Sequence, residues 1–191
     1  MILDQLHTAA QPGDIIFIRI SNFLYRRVAA VTGSWTSHVG MIYSKTDSEC
    51  LVAESAVPLS KLCPLDKFIS RSENNQFGLK RLNKNLLPDQ VEALKLSADE
   101  RLGKLYHLGF KYDSPRLYCS KFIYDIYKEV LDLEIGKIET MQDLLNSNPN
   151  TPQLFWKLWY RGKIPWRQRI ITPASQYDSP YLDTVLENLQ T

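Results

Sequence analysis

Residues 118–131 carry the most regular hydrophobic pattern of this chain. Apolar side chains recur at positions 118, 122, 123, 126, 127, 130 and 131. This three- and four-residue spacing predicts an amphipathic α-helix, and Ser114-Pro115 marks the loop before it. A helix with one apolar face must bury that face against another element, so the rest of the chain has to supply a partner surface.

Short β-branched and aromatic runs predict the strands of that surface. The turn Pro12-Gly13-Asp14 leads into residues 15–18, and residues 38–43 and 51–55 flank a polar connection typical of an antiparallel hairpin. A further strand is predicted within residues 77–82. Helical spacing is found in residues 22–31, 88–102, 154–160 and 181–189. Strands with helices at both ends predict an α+β fold in which an antiparallel sheet packs against helices.

Composition limits the possible partners and location. The 191 residues are 44% hydrophobic and contain no repeat or linker, so we expect one domain over residues 1–191. The net charge of +2 over the whole chain does not indicate a nucleic-acid or anionic-membrane partner. No run approaches the roughly 18 apolar residues of a transmembrane helix, and the N-terminus does not resemble a secretory signal. We therefore expect a cytoplasmic protein by default, with export left open.

Three cysteines, Cys50, Cys63 and Cys119, lie far apart without a C-x-x-C pair. Neither a disulfide framework nor a metal site is indicated, and we expect Cys50 and Cys63 to be incidental loop thiols. Cys119 falls in the first turn of the predicted helix, where unpaired N–H groups and the helix dipole favour a thiolate. It is a candidate nucleophile. The alternative is a core thiol, because Cys119 shares a stripe with positions 123, 126 and 130.

A nucleophilic thiol needs a base, and His38 is the best placed of the three histidines because it begins a predicted strand. If the hairpin turn is centred near Asp47, Glu54 opposes Gly40 and is the diagonal neighbour of His38 on the same face. A carboxylate there would hold the second ring nitrogen and set the tautomer. The alternative is an exposed ion pair at the end of a strand.

Six short motifs follow one another in a fixed order along the chain. They are Pro-Gly-Asp-Ile-Ile-Phe (12–17), Ser-His-Val-Gly-Met (37–41), Ala-Glu-Ser (53–55), Gly-Lys-Leu-Tyr (103–106), Tyr-Cys-Ser-Lys-Phe (118–122) and Thr-Pro-Ala-Ser-Gln-Tyr-Asp-Ser-Pro (172–180). This ordered set resembles that of the YiiX/YebB-like proteins, which are circularly permuted papain-like cysteine hydrolases of the NlpC superfamily. The similarity runs from about Pro12 to Leu182.

The resemblance implies a permuted papain-like fold in which the histidine strand precedes the cysteine helix. It implies that Cys119 is the nucleophile, His38 the general base and then acid, and Glu54 the residue that orients the imidazole. Tyr106 matches a tyrosine that lines the site or helps to hold the oxyanion. Relatives often have Tyr-Asp where this chain has Tyr106-His107, and we interpret His107 as a loop residue, with altered specificity as the alternative.

The expected activity is hydrolysis of a peptide-like or N-acyl amide through an acyl-enzyme, without a metal or organic cofactor. The resemblance also leaves open a lipid acyl hydrolase or acyltransferase, which wide apolar pocket walls would favour. A ligand-binding module without turnover is the non-enzymatic alternative. A cluster of large aromatic residues at 155–166 is expected to pack in the core, with an interfacial or substrate-binding surface as the alternative.

Overall fold

The structure is a computed structural model that describes residues 2–148 and 153–189. Strands and helices are mixed in the first half of the chain, and helices dominate the second half. In chain order the elements are α1 (Ile2–Ala9), β1 (Ile15–Ile20), α2 (Phe23–Thr32), β2 (His38–Lys45), β3 (Cys50–Ser55), β4 (Ser60–Pro64), α3 (Leu65–Ile69), β5 (Ser72–Leu82), α4 (Pro88–Asp99), α5 (Cys119–Leu131), β6 (Glu139–Thr140), α6 (Met141–Ser147), α7 (Gln153–Trp159), β7 (Arg169–Ile170), α8 (Pro173–Tyr177) and β8 (Leu182–Asn188).

Six strands form one antiparallel sheet in the order β4-β3-β2-β1-β5-β8, and β6 pairs with β7 in a second, two-stranded sheet. The predicted α+β architecture with an antiparallel sheet packed against helices is therefore confirmed. The predicted hairpin is also confirmed, because Met41 pairs with Ala53 and Ile42 with Val52. This register follows from a connection centred near Asp47.

The two faces of the sheet bury different helices, because side chains alternate along each strand. In β1, Phe17 points to the face covered by α5, where Phe122 and Ile126 are buried, and Ile16 points to the opposite face, where α1 and α3 pack. The predicted helix at residues 118–131 thus finds its partner surface in the sheet. A third cluster, which combines aromatic and aliphatic side chains, lies around α2, α6 and α7.

The helix predicted over residues 181–189 is wrong, because this segment is the edge strand β8. Leu186 pairs with Leu79 and Thr184 pairs with Lys80, so Val185 is an extra residue in a bulge. The bulge changes the face to which the following side chains point. The resulting spacing of apolar residues imitates that of a helix turn, and pairing with β5 decides the structure.

Several boundaries also differ from prediction. The helix starting at Pro88 ends at Asp99, before Gly103. Seven elements of eight residues or fewer were not predicted, namely α1, β4, α3, β6, α6, β7 and α8. The helix expected at residues 154–160 is α7, whereas Pro152, which was expected to precede it, lies outside the described residues. Among the described residues, no helix is long and apolar enough to cross a membrane.

The Pro12-Gly13-Asp14 motif fastens the start of β1. The Asp14 carboxylate accepts hydrogen bonds from Nε and Nη2 of Arg81 at 2.7 and 2.8 Å and from the backbone N–H of Gln11 at 2.8 Å. The Tyr127 hydroxyl of α5 donates to the Gly13 carbonyl at 2.5 Å. This turn therefore connects the central strand to β5 and α5.

Candidate active site

His38 is the first residue of β2, and the turn before it is tied to β1. The Ser37 N–H donates to the Ile18 carbonyl at 3.0 Å, and the Ser37 Oγ accepts from the Ile20 N–H at 3.0 Å. The Thr36 hydroxyl also donates to the Ile18 carbonyl at 3.1 Å. These bonds fix the backbone at the position from which the imidazole projects.

Glu54 of β3 lies against His38, as the hairpin register predicts. Nε2 of His38 and Oε2 of Glu54 are 2.6 Å apart, and both side chains are fully buried. The alternative of an exposed ion pair at the end of a strand is therefore wrong. Strands β4 and β1 flank the hairpin in the sheet, and the rings of Tyr25 from α2 and Phe68 from α3 lie beside the imidazole.

Arg71 also binds Glu54, and sequence reasoning missed it. Its Nη2 donates to Oε2 of Glu54 at 2.8 Å, and its guanidinium lies 5.0 Å from the centre of the Phe68 ring. The Phe68 ring in turn lies 5.6 Å from the imidazole of His38. Arg71 follows α3, an element that no pattern in the sequence predicted, so nothing indicated its approach to Glu54.

This arrangement shifts the pKa values of both partners in a salt bridge. Burial alone would raise the pKa of Glu54, but the hydrogen bond and charge of His38, followed by those of Arg71, lower it to about 2. Burial alone would lower the pKa of His38, but interactions with the Cys119 thiol and the Glu54 carboxylate raise it to about 9. A buried carboxylate and an imidazolium therefore stabilise each other at neutral pH.

Cys119 is the first residue of α5 and is almost completely buried. Its N-cap residue, Tyr118, makes no side-chain capping hydrogen bond, so the N–H groups of the first turn remain available. Nδ1 of His38, the ring nitrogen not facing Glu54, has no hydrogen-bond partner among the described residues, and the thiol is close enough to raise the pKa of His38. Cys119 also packs in the cluster beneath α5, so its burial matches the core alternative as well.

A narrow cavity of about 20 Å³ adjoins Cys119. That volume is roughly enough for one water molecule. Tyr106 and Tyr25 line it, and the rest of the lining is mostly apolar. Burial, followed by the nearby Cys119, raises the pKa of both tyrosines. The buried Tyr106 hydroxyl has no partner that meets hydrogen-bond geometry among the described residues.

Tyr25 was also missed by sequence reasoning. It belongs to α2, and its ring stands perpendicular to the imidazole of His38 at a centroid distance of 5.6 Å. The predicted helical spacing of residues 22–31 placed this residue on a helix. It could not show which strand end that helix covers.

The motif at residues 172–180 supports the first turn of α5. Nε2 of Gln176, fully buried on α8, donates to the carbonyls of Ser120 and Ile135 at 2.9 and 3.1 Å. The Ser120 hydroxyl donates to the Ile171 carbonyl at 2.8 Å, and the Ile171 N–H donates to the Tyr118 hydroxyl at 3.1 Å. The motif therefore holds the helix end that carries Cys119.

The remaining candidates lie elsewhere. His107 is in the loop between α4 and α5, where its Nδ1 accepts from the Gly109 N–H at 3.0 Å. Cys50 and Cys63 were expected to be loop thiols, but this is wrong, because they lie in β3 and β4. Both are buried on the sheet face that α1 and α3 cover. Among the described residues, no group of three or more His, Cys, Asp or Glu side chains is placed to hold a metal ion.

Comparisons with known proteins give relatives that match most of the chain. Protein YiiX of Escherichia coli K12 is 28% identical over 175 residues, which cover 92% of this chain and 85% of the relative. The crystal structure of yiiX from Escherichia coli O157:H7, described there as a metalloprotein, matches with a TM-score of 0.87 at 28% identity. That match covers 95% of this chain and 99% of the solved one.

The sequence model of one family, described as permuted papain-like amidase enzymes, matches residues 9–186. In this chain the histidine strand β2 precedes the cysteine helix α5, the order that the resemblance implied. The chain belongs to the YaeF/YiiX (C92) family of permuted papain-like amidases.

Proposed function

We propose that this protein is a cysteine amidase that cleaves a peptide-like or N-acyl amide, with Cys119 as nucleophile, His38 as base and acid, and Glu54 as the residue that orients His38. The observation that carries the proposal is the Glu54–His38 contact of 2.6 Å. It leaves Nδ1 of the imidazole free beside a thiol at an uncapped helix N-terminus. Membership of an amidase family supports the same chemistry.

The reaction follows from these positions. Before substrate binds, the proton of the Cys119 thiol has already moved to Nδ1 of His38, which gives a thiolate and an imidazolium that Glu54 stabilises through Nε2. The thiolate attacks the amide carbonyl, and the resulting oxyanion accepts hydrogen bonds from N–H groups of the first turn of α5 and from the Tyr106 hydroxyl. The carbon–nitrogen bond then breaks as His38 returns its proton to the leaving amine. Water attacks the acyl-enzyme, gives its proton to His38, and releases the acid and the thiol.

An acyl-lipid ester is the second candidate substrate, because the cavity beside Cys119 is lined mainly by apolar side chains such as Val28, Met141 and Trp156. Its volume of about 20 Å³ is too small for an acyl chain unless the walls separate. We expected a lipid substrate to require a pocket that is both wide and apolar. This cavity is apolar but not wide.

Iodoacetamide alkylation followed by intact mass tests the proposed pair. We expect labelling confined to Cys119 that persists below about pH 7 in the parent protein and is lost or shifted to higher pH in His38→Ala. Cys50 and Cys63 are internal controls, because burial raises the pKa of both thiols, that of Cys50 to about 11. Equal reactivity of all three thiols would remove the nucleophile assignment and favour a binding module.

Substrate panels then separate the candidate reactions. Peptide-like amides, N-acyl amino acids and acyl-lipid esters are compared by kcat/KM in the parent protein and in Cys119→Ser. An amidase turns over an amide, and the serine variant loses that turnover by a factor on the order of 10² or more. A binding module would retain ligand affinity in the serine variant and release no product in either protein.

A further inference from the structure

The net positive charge of this chain is concentrated in one region. Residues 144–177 contain no Asp or Glu and five cations, so this segment carries +5 against +2 for the whole chain. Arg169 pairs with Asp113. Over the described part of the chain, no ion pair is found for the other four, which are Lys157, Arg161, Lys163 and Arg167. The whole-chain balance, from which we expected no anionic-membrane partner, conceals this local excess.

Apolar side chains are exposed beside these cations. On α7, Leu154 and Leu158 are 68% and 72% exposed, and they share a helix face with Lys157 because the three are spaced by three and four residues. Packing does not explain these two exposed leucines, since neither belongs to a core cluster of the described residues.

The exposed surface continues from α7 onto α2. Phe23 is 65% exposed, and its ring contacts that of Phe155 at a centroid distance of 5.5 Å. The Arg27 guanidinium lies over both rings, at 5.0 and 5.6 Å. We call the surface formed by Phe23, Arg27, Leu154, Lys157 and Leu158 the α2–α7 patch.

The inner sides of the same two helices form part of the cavity wall. Val28 of α2 and Trp156 of α7 are buried and line the cavity beside Cys119. The expectation that the aromatic cluster at 155–166 packs in the core is thus confirmed for Trp156. The outer face of these helices differs from the inner face, because the outer face combines exposed leucine and phenylalanine side chains with cations.

We propose that the α2–α7 patch docks this protein on the surface of an anionic lipid bilayer. Phe23, Leu154 and Leu158 enter the headgroup region. Anionic headgroups are contacted by Lys157 and by Arg161, an exposed residue next to the patch whose N–H donates to the Leu158 carbonyl at 3.1 Å. A soluble polyanion such as a nucleic acid would use the cations but has no use for the exposed leucines. A second copy of this chain would bring like charges together. Docking goes beyond the proposed hydrolysis and does not depend on it.

Co-sedimentation of the full chain with vesicles tests this proposal. We expect binding to phosphatidylcholine vesicles that contain phosphatidylglycerol, at least tenfold weaker binding to pure phosphatidylcholine vesicles, and weakening by added salt. Leu154→Ser/Leu158→Ser should lower the partition coefficient about tenfold or more. Lys157→Gln/Arg161→Gln should lower it about fivefold for each cation.

Matched controls come from exposed residues outside the α2–α7 patch. Leu87→Ser/Leu96→Ser removes two comparably exposed leucines next to and within α4, and Lys84→Gln/Lys104→Gln removes two exposed lysines. Neither control should change the partition by more than about twofold. Thermal unfolding and Cys119 alkylation are recorded for every variant, so that a misfolded protein or a failed nucleophile assignment is distinguished from failed docking.

Three results would overturn the proposal. The first is equal binding to anionic and neutral vesicles. The second is an equal loss in the control variants. The third is a result in which Lys157→Gln/Arg161→Gln weakens binding to vesicles and to a single-stranded oligonucleotide equally, while Leu154→Ser/Leu158→Ser weakens neither. That result would identify a soluble polyanion as the partner.

Discussion

At the scale of single residues, Glu54 stays ionised in a place that water does not reach. Both its hydrogen-bonding partners, His38 and Arg71, contact the same carboxylate oxygen, Oε2, while Oε1 has no partner among the described residues. A buried charge is tolerated only where opposite charges face it directly. Arg71 therefore contributes to the protonation state of His38 although it does not touch the imidazole through a hydrogen bond.

Arg71→Met should raise the pKa of Glu54, because it removes a cation and a hydrogen bond from the carboxylate that faces His38. We expect a loss of about 2 kcal/mol in the free energy of unfolding near neutral pH, the range of a hydrogen bond to a charged group. The same change should shift the pH profile of Cys119 alkylation. Denaturant unfolding and alkylation measure the two effects.

The controls for this variant separate charge from packing. Arg71→Lys keeps the charge and should retain part of both properties. Arg169→Met removes an exposed arginine that pairs with Asp113, so it should change stability by less than about 1 kcal/mol and leave alkylation unchanged. An alkylation profile in Arg71→Met that matches the parent protein would contradict this role.

At the scale of elements, Gly40 lets α3 approach the hairpin. A Cβ at this position would lie 2.5 Å from Cγ1 of Val52 and 3.1 Å from Cε2 of Phe68. The absence of a side chain allows Phe68 to lie against the imidazole of His38. The glycine of the Ser-His-Val-Gly-Met motif therefore serves the site through packing.

Gly40→Ala should cost about 1–3 kcal/mol in the free energy of unfolding, because overpacking forces Val52 or Phe68 to move. Urea denaturation measures this loss. In a double-mutant cycle with Val52→Ala, which removes the closest contact, the two losses should add to more than the loss of the double variant. Strict additivity of the two losses would show that the close approach is relieved elsewhere.

The elements differ in how far sequence could predict them. The pairing of Glu54 with His38 was predictable, since a polar connection between two apolar runs determines the register of a hairpin. The approach of Arg71 to Glu54 and of Tyr25 to His38 was not predictable. It depends on how α3 and α2 pack against strands that are distant in sequence. The apolar spacing of β8 was misread because a bulge at Val185 imitates helical periodicity.

At the scale of the whole molecule, the His38–Glu54 pair links stability to pH. The pKa of His38 is raised from 6.5 to about 9, so its contribution is complete below about pH 6.5 and is lost as the pH rises through 9. The pKa of Glu54 is lowered from 4.5 to about 2, so its contribution is complete above about pH 4.5 and is lost as the pH falls through 2.

We therefore expect this pair to stabilise the fold most between about pH 4.5 and pH 6.5. Urea unfolding across pH 3 to 10, in the parent protein and in His38→Phe/Glu54→Leu, measures its share as the difference between the two curves. That difference should decline above about pH 6.5. A difference that grows with pH in this range would show that His38 is not held as the imidazolium.

The order of strands in the sheet has a consequence for how the chain reaches its fold. The hairpin of β2 and β3 joins neighbours in sequence, whereas β5 pairs with β8 across a hundred residues, as in the Leu82–Leu182 pair. During synthesis the histidine and glutamate can come together early, while the outer edge of β5 stays open until β8 leaves the ribosome. In that interval the unpaired N–H and C=O groups of β5 are free to pair with another chain. Pairing of β8 with β5 therefore also protects the protein against aggregation.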